Sequence, residues 1–325
     1  MALRRLLPGL VVLCLGAALA RAIGAMTGLN HLLAAIALGF GLANGIGVPD
    51  RFGPGLATHK LWLGAGIVLM GASLTLGTIL EVGSVVLVVV VFVTATTLTT
   101  VELLSRNVFR LDDRLGSLLA AGASICGVSA VIAVAGAIRA RENQIAYAAA
   151  TVLLFDAITI VVYPIVGEVL DLSDVAFGIW AGVSMFSTGP VVAVGFDYSE
   201  AAGQWATMTK LSRNALIGVV VVVYASYYAG GDERASLGTL WDEFPKFVLG
   251  FLALMLLASA GIFTSTQHRI IERAYDWLFL LAFVGLGAEI RLADLRNTGP
   301  TPLLLILTTL VFVSIGSLAL LVFLL

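Results

Sequence analysis

The chain has 325 residues, 60% of them hydrophobic and only 12% charged, with a formal net charge of −2; soluble domains carry about 25% charged residues. A soluble fold has too little interior to hide this much apolar surface, so the solvent has to be lipid and the chain a polytopic membrane protein. Its 18 basic residues are scattered and form no nucleic-acid face, and Cys14 and Cys126 lie in apolar runs that offer neither a disulfide framework nor a zinc site, so no cofactor, metal or nucleic-acid partner is expected.

A membrane helix needs about 20 apolar residues. Eleven segments meet that length approximately, near 6–23, 30–48, 61–80, 83–105, 115–138, 144–167, 174–196, 208–229, 245–264, 275–293 and 300–324. Their apolar runs are continuous rather than alternating, which favours helices over a transmembrane barrel. The expectation is an all-α membrane protein of about 11 transmembrane helices, a single transporter domain over residues 1–325 with residues 1–24 as an extra N-terminal helix. The start, MALRR followed by an apolar run and ALARA, also imitates a secretory signal; the apolar segments that follow at once make a first helix the simpler account.

Arg4, Arg5, Arg51, Lys60, Arg106, Arg110 and Arg114 fall on alternate connections, which places the N-terminus in the cytoplasm of a multi-pass protein of the inner cell membrane. A plain crossing at 115–138 would then put Arg139 and Arg141 outside. Either that segment is re-entrant or the charge rule is overridden. A weak ungapped match pairs Leu61, Val68, Gly71, Ala72, Leu76 and Ile79 with Trp277, Val284, Gly287, Ala288, Leu292 and Leu295 at an offset of 287 − 71 = 216. It suggests an inverted repeat of the kind common in secondary transporters, with the third and tenth segments running in opposite directions. A re-entrant 115–138 alone would make them parallel.

Two mid-membrane stretches concentrate small residues and proline, GASICGVSA at 122–130 and SMFSTGPVV at 184–192. They predict two interrupted helices, near 115–138 and 174–196, crossing near the midplane. A broken helix presents free backbone groups and a positive N-terminal end to an anion. Ser124, Cys126, Gly127, Ser129, Ser184, Ser187 and Thr188 are the candidate substrate or ion ligands there. The competing reading is close helix packing, with each serine bonded back to its own helix.

Asp156, in TVLLFDAITIVVYP, is the most deeply placed acid. A carboxylate in hydrocarbon has to face a cavity, pair with a cation or hold a proton, which suits H+ or Na+ coupling; a structural hydrogen bond is the alternative. Lys210 and Arg213 share a helix face and are candidates for attracting an anion or for snorkelling to the interface. Glu102, His31 and His59 read as interfacial, and Glu289 and Arg291 as a solvated helix end or a gate. No HExxH, GxSxG or P-loop pattern is present. Neither an enzyme nor direct ATP hydrolysis is expected.

GASICGVSAVIAVA at 122–135, IAYAAATVLLF at 145–155, YPIVG at 163–167, AFGIWAGVSM at 176–185, KLSRNAL at 210–216 and FVGLGAEIRLADL at 283–295 resemble the YeiH family of multi-pass inner-membrane proteins, described as sulfate exporters. The resemblance spans almost the whole chain. It implies a secondary transporter exporting sulfate or a related small inorganic or organic anion, with an inverted-repeat design similar to that of bile-acid symporters and cation/proton antiporters. One departure stands out. Where the family usually carries SIHDTAQVV, this chain has SMFSTGPVV, so Phe186, Ser187 and Pro190 replace a histidine, an aspartate and a glutamine, while Asp156 stands where a small residue is usual. The expectation is that the acid has moved from the seventh helix to the sixth. The alternatives are a cation/proton antiporter using Asp156 and, more remotely, a channel or membrane receptor; a homodimer is a candidate assembly.

Overall fold

The computed structural model describes residues 2–27, 29–73, 76–228, 246–291 and 300–324, without the side chains of 2–4, 76–82, 84, 85 and 324. Every regular element among them is helical: α1 Ala2–Thr27, α2 His31–Gly41, α3 Gly53–Leu56, α4 His59–Met70, α5 Leu76–Leu103, α6 Asp113–Ser124, α7 Val128–Ala137, α8 Glu142–Val169, α9 Asp174–Ser184, α10 Thr188–Tyr198, α11 Glu200–Asn214, α12 Ile217–Tyr228, α13 Phe247–Ser259, α14 Ser265–Glu289 and α15 Pro300–Leu324. Stretches in α1, α5, α8, α11–α12 and α15 are long and apolar enough to cross a membrane. The chain divides into two compact units, residues 1–83 with 246–292, and residues 84–245 with 293–325.

In the first unit α14 packs on α2 and α4. It lies backbone to backbone with α2, because a side chain at Gly39 would meet the Val284 carbonyl and one at Gly287 the Ile36 carbonyl. His59 of α4 lies beside Gly285 and pairs with Glu289, while Gly66 lies against Phe279. Thus α4 and α14 run antiparallel, as the inverted reading of the 216 offset requires. Of the matched residues, Leu292 and Leu295 lie outside the described set. The sequence reading needs correction at two points here. His59 is buried, and Glu289, 32% exposed, is a partnered rather than a free helix end: His59 (3.2 Å) and Lys60 (2.9 Å) hold its carboxylate. Asp276 likewise joins Arg21 (2.6 Å) and His31 (2.7 Å).

The second unit is built on two helical hairpins. Asp112 caps α6 by accepting from the amides of Arg114 and Leu115. Its carboxylate also accepts from Gln144 Nε2 at 2.6 Å and Arg141 at 3.2 Å, at the start of α8. A continuous helix from 113 to 137 would separate those ends by about 35 Å at 1.5 Å per residue. The segment instead turns back at 125–127, bringing Gly122 against both Val131 and Val152. The second hairpin is shown the same way. Tyr198, at the end of α10, donates its hydroxyl to the Leu172 carbonyl (2.6 Å) and stacks on Phe177 (centroids 3.9 Å apart), both at the start of α9. The two predicted interrupted helices therefore do not cross; each is re-entrant, and neither counts as a span.

The 28 residues of α8, about 42 Å long, join the mouth of the first hairpin to that of the second. The hairpins therefore enter from opposite sides. Each arm of 10–12 residues reaches about 15–18 Å, half the hydrocarbon thickness. The folding back also removes the charge conflict, because Arg139 and Arg141 now share a side with Arg110 and Arg114. In a cysteine-free background, Asp113→Cys and Glu142→Cys, both at exposed positions, are expected to react with an impermeant maleimide from one face of the membrane and Asp171→Cys and Glu200→Cys only from the other. Labelling of Asp113→Cys and Glu142→Cys from opposite faces would rule the hairpin out.

The hairpins form a repeat that the sequence reading missed. AGASICGVSAVIAVAG at 121–136 aligns without gaps on AGVSMFSTGPVVAVGF at 181–196, an offset of 181 − 121 = 60, with Ala121, Gly122, Ser124, Val131, Ala133 and Val134 identical to Ala181, Gly182, Ser184, Val191, Ala193 and Val194. The following helices, α8 and α11–α12, align at 200 − 142 = 58, matching Thr151, Leu153 and Ala157 to Thr209, Leu211 and Ala215. Each repeat is a hairpin followed by a long helix, and the two are inverted.

Candidate site at the hairpin tips

The tips meet at mid-depth. A Cβ on Gly127 would fall 1.9 Å from Ser187 Oγ, so the two turns touch. Two arms end there at their carbonyl ends, α6 at Ser124 and α9 at Ser184, and two begin there, α7 at Val128 and α10 at Thr188. Carbonyls at the last turn of a buried helix need donors. Arg213 and Lys210 of α11 supply them, both fully buried. Arg213 donates to the carbonyls of Ala123 and Ser124 in the first hairpin and of Val183 (2.9 Å) and Met185 (2.8 Å) in the second. Lys210 Nζ donates to Ile125 (2.8 Å) and Met185 (2.9 Å). A cation at the C-terminal end of a helix is also favoured by the helix dipole. These residues therefore neither snorkel nor present themselves to solvent; they tie one tip to the other.

The opposite polarity, the N-terminal ends of α7 and α10, is left for the open part of the tips. Neither has a side-chain cap at its N-cap residue, Gly127 and Ser187 respectively. Ser129 is exposed, and Ser187 and Thr188 are partly so. Asp156 lies at the midpoint of α8, 2% exposed, and its Oδ1 accepts from the Ser187 amide at 3.0 Å. Ser187 is the position where the resemblance expects an aspartate, so the carboxylate of Asp156 reaches the same turn from the neighbouring helix.

The proposed ligands thus separate into two groups. Gly127, Ser129, Asp156, Ser187 and Thr188 gather around the open tips. Ser124 and Ser184 are fully buried and turned onto their own helices, Ser124 toward the Ala121 carbonyl at 3.5 Å and Ser184 to the Trp180 carbonyl at 2.5 Å, the latter also receiving Tyr163. Cys126 packs in the hydrophobic core. One residue was missed: Asn214, at the end of α11 and 2% exposed, donates Nδ2 to Thr188 Oγ1 at 2.9 Å. Its signal was in the sequence, because the 58-residue offset places it opposite Asp156 (214 − 156 = 58).

Glu102, read as interfacial, is well partnered at the outer end of its helix. It accepts from Ser117 Oγ (2.6 Å) and Tyr224 OH (2.6 Å) and pairs with Arg106 (2.8 Å), fastening α5 and α12 to the outer part of the first hairpin.

Opposed re-entrant hairpins in an all-helical unit define a multi-pass membrane protein whose broken helices meet at mid-depth. The model of the family described as Conserved hypothetical protein 698 matches residues 6–306. Similar proteins, each named UPF0324 membrane protein, include one from Nitratidesulfovibrio vulgaris, 35% identical over 90% of this chain and 86% of its own length, one from Listeria monocytogenes, 32% identical over 90% and 87%, and one from Clostridium tetani, 30% identical over 75% of each. The chain belongs to this family, which is the YeiH family of the sequence resemblance. No solved structure matches it.

Proposed function

We propose that this protein is a secondary transporter that carries a small oxyanion across the membrane through the hairpin tips, with sulfate export as the activity that the family resemblance implies. The observation that supports this most is the convergence of two helix N-termini, from hairpins entering on opposite sides, at a point where two basic side chains stand against one acid. Helix N-termini bind anions through free amides and the dipole, and discontinuous helices at mid-membrane supply such sites in many transporters. Asp156, held on the Ser187 amide, is the coupling acid in this reading, responding to H+ or Na+. The mouth of the first hairpin, with Arg106, Arg110, Arg114, Arg139 and Arg141, faces the cytoplasm, whereas residues 168–200 carry Glu168, Asp171, Asp174, Asp197 and Glu200 and no basic residue.

Purified protein in liposomes is expected to take up labelled sulfate or sulfite saturably, faster when unlabelled anion is present inside, and with a dependence on a proton or sodium gradient. Asp156→Asn weakens a charge-assisted bond worth about 1.5–3 kcal/mol, and should lower flux about tenfold and flatten the gradient dependence. Flux without saturation or counter-transport would point to a pore, and sodium/proton exchange without anion movement would replace the anion reading.

A further inference from the structure

Asn214 carries an inference that rests on the transport reading and narrows it. Its amide has one end engaged, Nδ2 on the Thr188 hydroxyl at the first residue of α10. The other end, Oδ1, is buried and has no hydrogen-bond partner among the described residues. Thr188 opens α10, so Asn214 stands at a helix N-terminus, one of the two that the hairpin tips bring together. The first amides of α7 and α10 have no intrahelical acceptor, and the hydroxyls of Ser129, Ser187 and Thr188 can donate. A buried acceptor without a partner costs free energy until a donor reaches it.

The repeat sharpens this. Asp156 and Asn214 occupy equivalent positions at the midpoints of the two long helices, and both reach the second tip, Asp156 at the Ser187 amide and Asn214 at Thr188. One half thus presents a carboxyl group to the backbone of the second tip, the other a neutral amide to a side chain of the same tip. We infer that Asn214 contacts the transported ligand and that the ligand is an oxyanion carrying a protonated oxygen, its unprotonated oxygens on the N-terminal amides of α7 and α10 and its hydroxyl donated to Asn214 Oδ1. Sulfate, fully deprotonated at neutral pH, leaves that acceptor unfilled and is disfavoured here, whereas a hydrogen oxyanion such as hydrogen sulfite, or a hydroxy acid, fills it. The pairing is the same kind that lets a site built to hydrogen-bond a hydroxyl reject an analogue without one.

Bicarbonate and nitrate test this at one fixed pH, because both are planar monoanions of similar size and only bicarbonate bears a hydroxyl. In calorimetric titrations of the full-length protein in lipid nanodiscs, the wild type should bind bicarbonate at least about tenfold more tightly than nitrate, since an unfilled buried acceptor costs about 1–3 kcal/mol. Asn214→Leu, which has no acceptor, should bring the ratio close to one, and Asn214→Ala, equally without a side-chain acceptor, serves the same purpose if the leucine variant does not fold. Nitrate binding as tightly as bicarbonate in the wild type would overturn the inference, as would a ratio unchanged by either substitution. Binding of neither ion would overturn it too; sulfate flux in the liposome assay would then leave the transport reading standing, and loss of that flux as well would remove both.

Discussion

Arg213→Leu is expected to be the most damaging single substitution in the second unit. The guanidinium donates to four carbonyls, two in each hairpin, and all of them lie at helix ends where no intrahelical partner exists. Replacing it with an apolar side chain leaves those oxygens buried without a donor, at about 1–3 kcal/mol each. Relaxation of the tips recovers part of this, so a net loss of about 3–5 kcal/mol follows, the range for removing one partner of a buried charged contact. For a domain of this size that corresponds to roughly 10 °C in melting temperature. Arg213→Lys keeps the charge but has one compact donor group where the fork spans both tips, so it should fall between the two. Thermal unfolding of the detergent-solubilised protein, followed by fluorescence-detected size exclusion, measures this. A melting temperature for Arg213→Leu within about 1 °C of wild type would mean that the carbonyls find other donors.

The same contacts bear on how the unit can move. A hairpin acting as a gate has to swing away from its opposite number. Here Arg213 and Lys210 each bond to both tips, and Asp156 holds the second tip to α8. Opening one hairpin alone would strip several buried charge-assisted bonds at once. On the proposed transport function, exchange between the two sides is therefore cheaper if both hairpins travel together, and gating by a single tip is disfavoured by the same few kilocalories that Arg213→Leu removes.

Much of this was legible in the residues. Composition forces a membrane protein, because nothing else accommodates 60% hydrophobic residues. The two clusters of glycine, serine and proline mark the tips correctly, since each stops one helix and starts another. Whether each segment crosses or returns was not legible from hydropathy, which reads length and apolarity but not direction. The clue lay in charge: Arg139 and Arg141 conflict with a crossing, and the pairing of Asp112 with Arg141 and Gln144 resolves that conflict. A second re-entrant segment restores the opposite directions of α4 and α14, which one alone would have cancelled. Lys210 and Arg213 could not be assigned from sequence, because a cation that caps carbonyls and one that binds an anion present the same spacing. Asn214 was passed over because an amide carries no charge to stand out in an apolar helix. Only the comparison of 142–162 with 200–220 singles it out.

The repeat also explains why the tips differ at their point of contact, and Gly127→Ala is the substitution that tests it. Gly127 and Ser187 are equivalent in the two hairpins, but their backbones are not: Gly127 has φ +69° and ψ −135°, whereas Ser187 has φ −96° and ψ 150°, ordinary extended backbone. A Cβ at 127 would lie 1.9 Å from Ser187 Oγ and 3.0 Å from its Cβ, so only one of the two turns can carry a side chain where they touch. Gly127→Ala meets two penalties, the positive φ at about 1–3 kcal/mol and the collision with Ser187. The expected result is loss of at least about tenfold in anion flux together with a lower melting temperature. The two penalties can be separated by adding Ser187→Gly. The double variant relieves the collision but keeps the positive φ, so it should regain part of the stability and leave a coupling of about 1 kcal/mol or more between the sites. Strict additivity would show that the tips are further apart than their contact implies, while full recovery would assign the whole cost to the collision and none to the backbone.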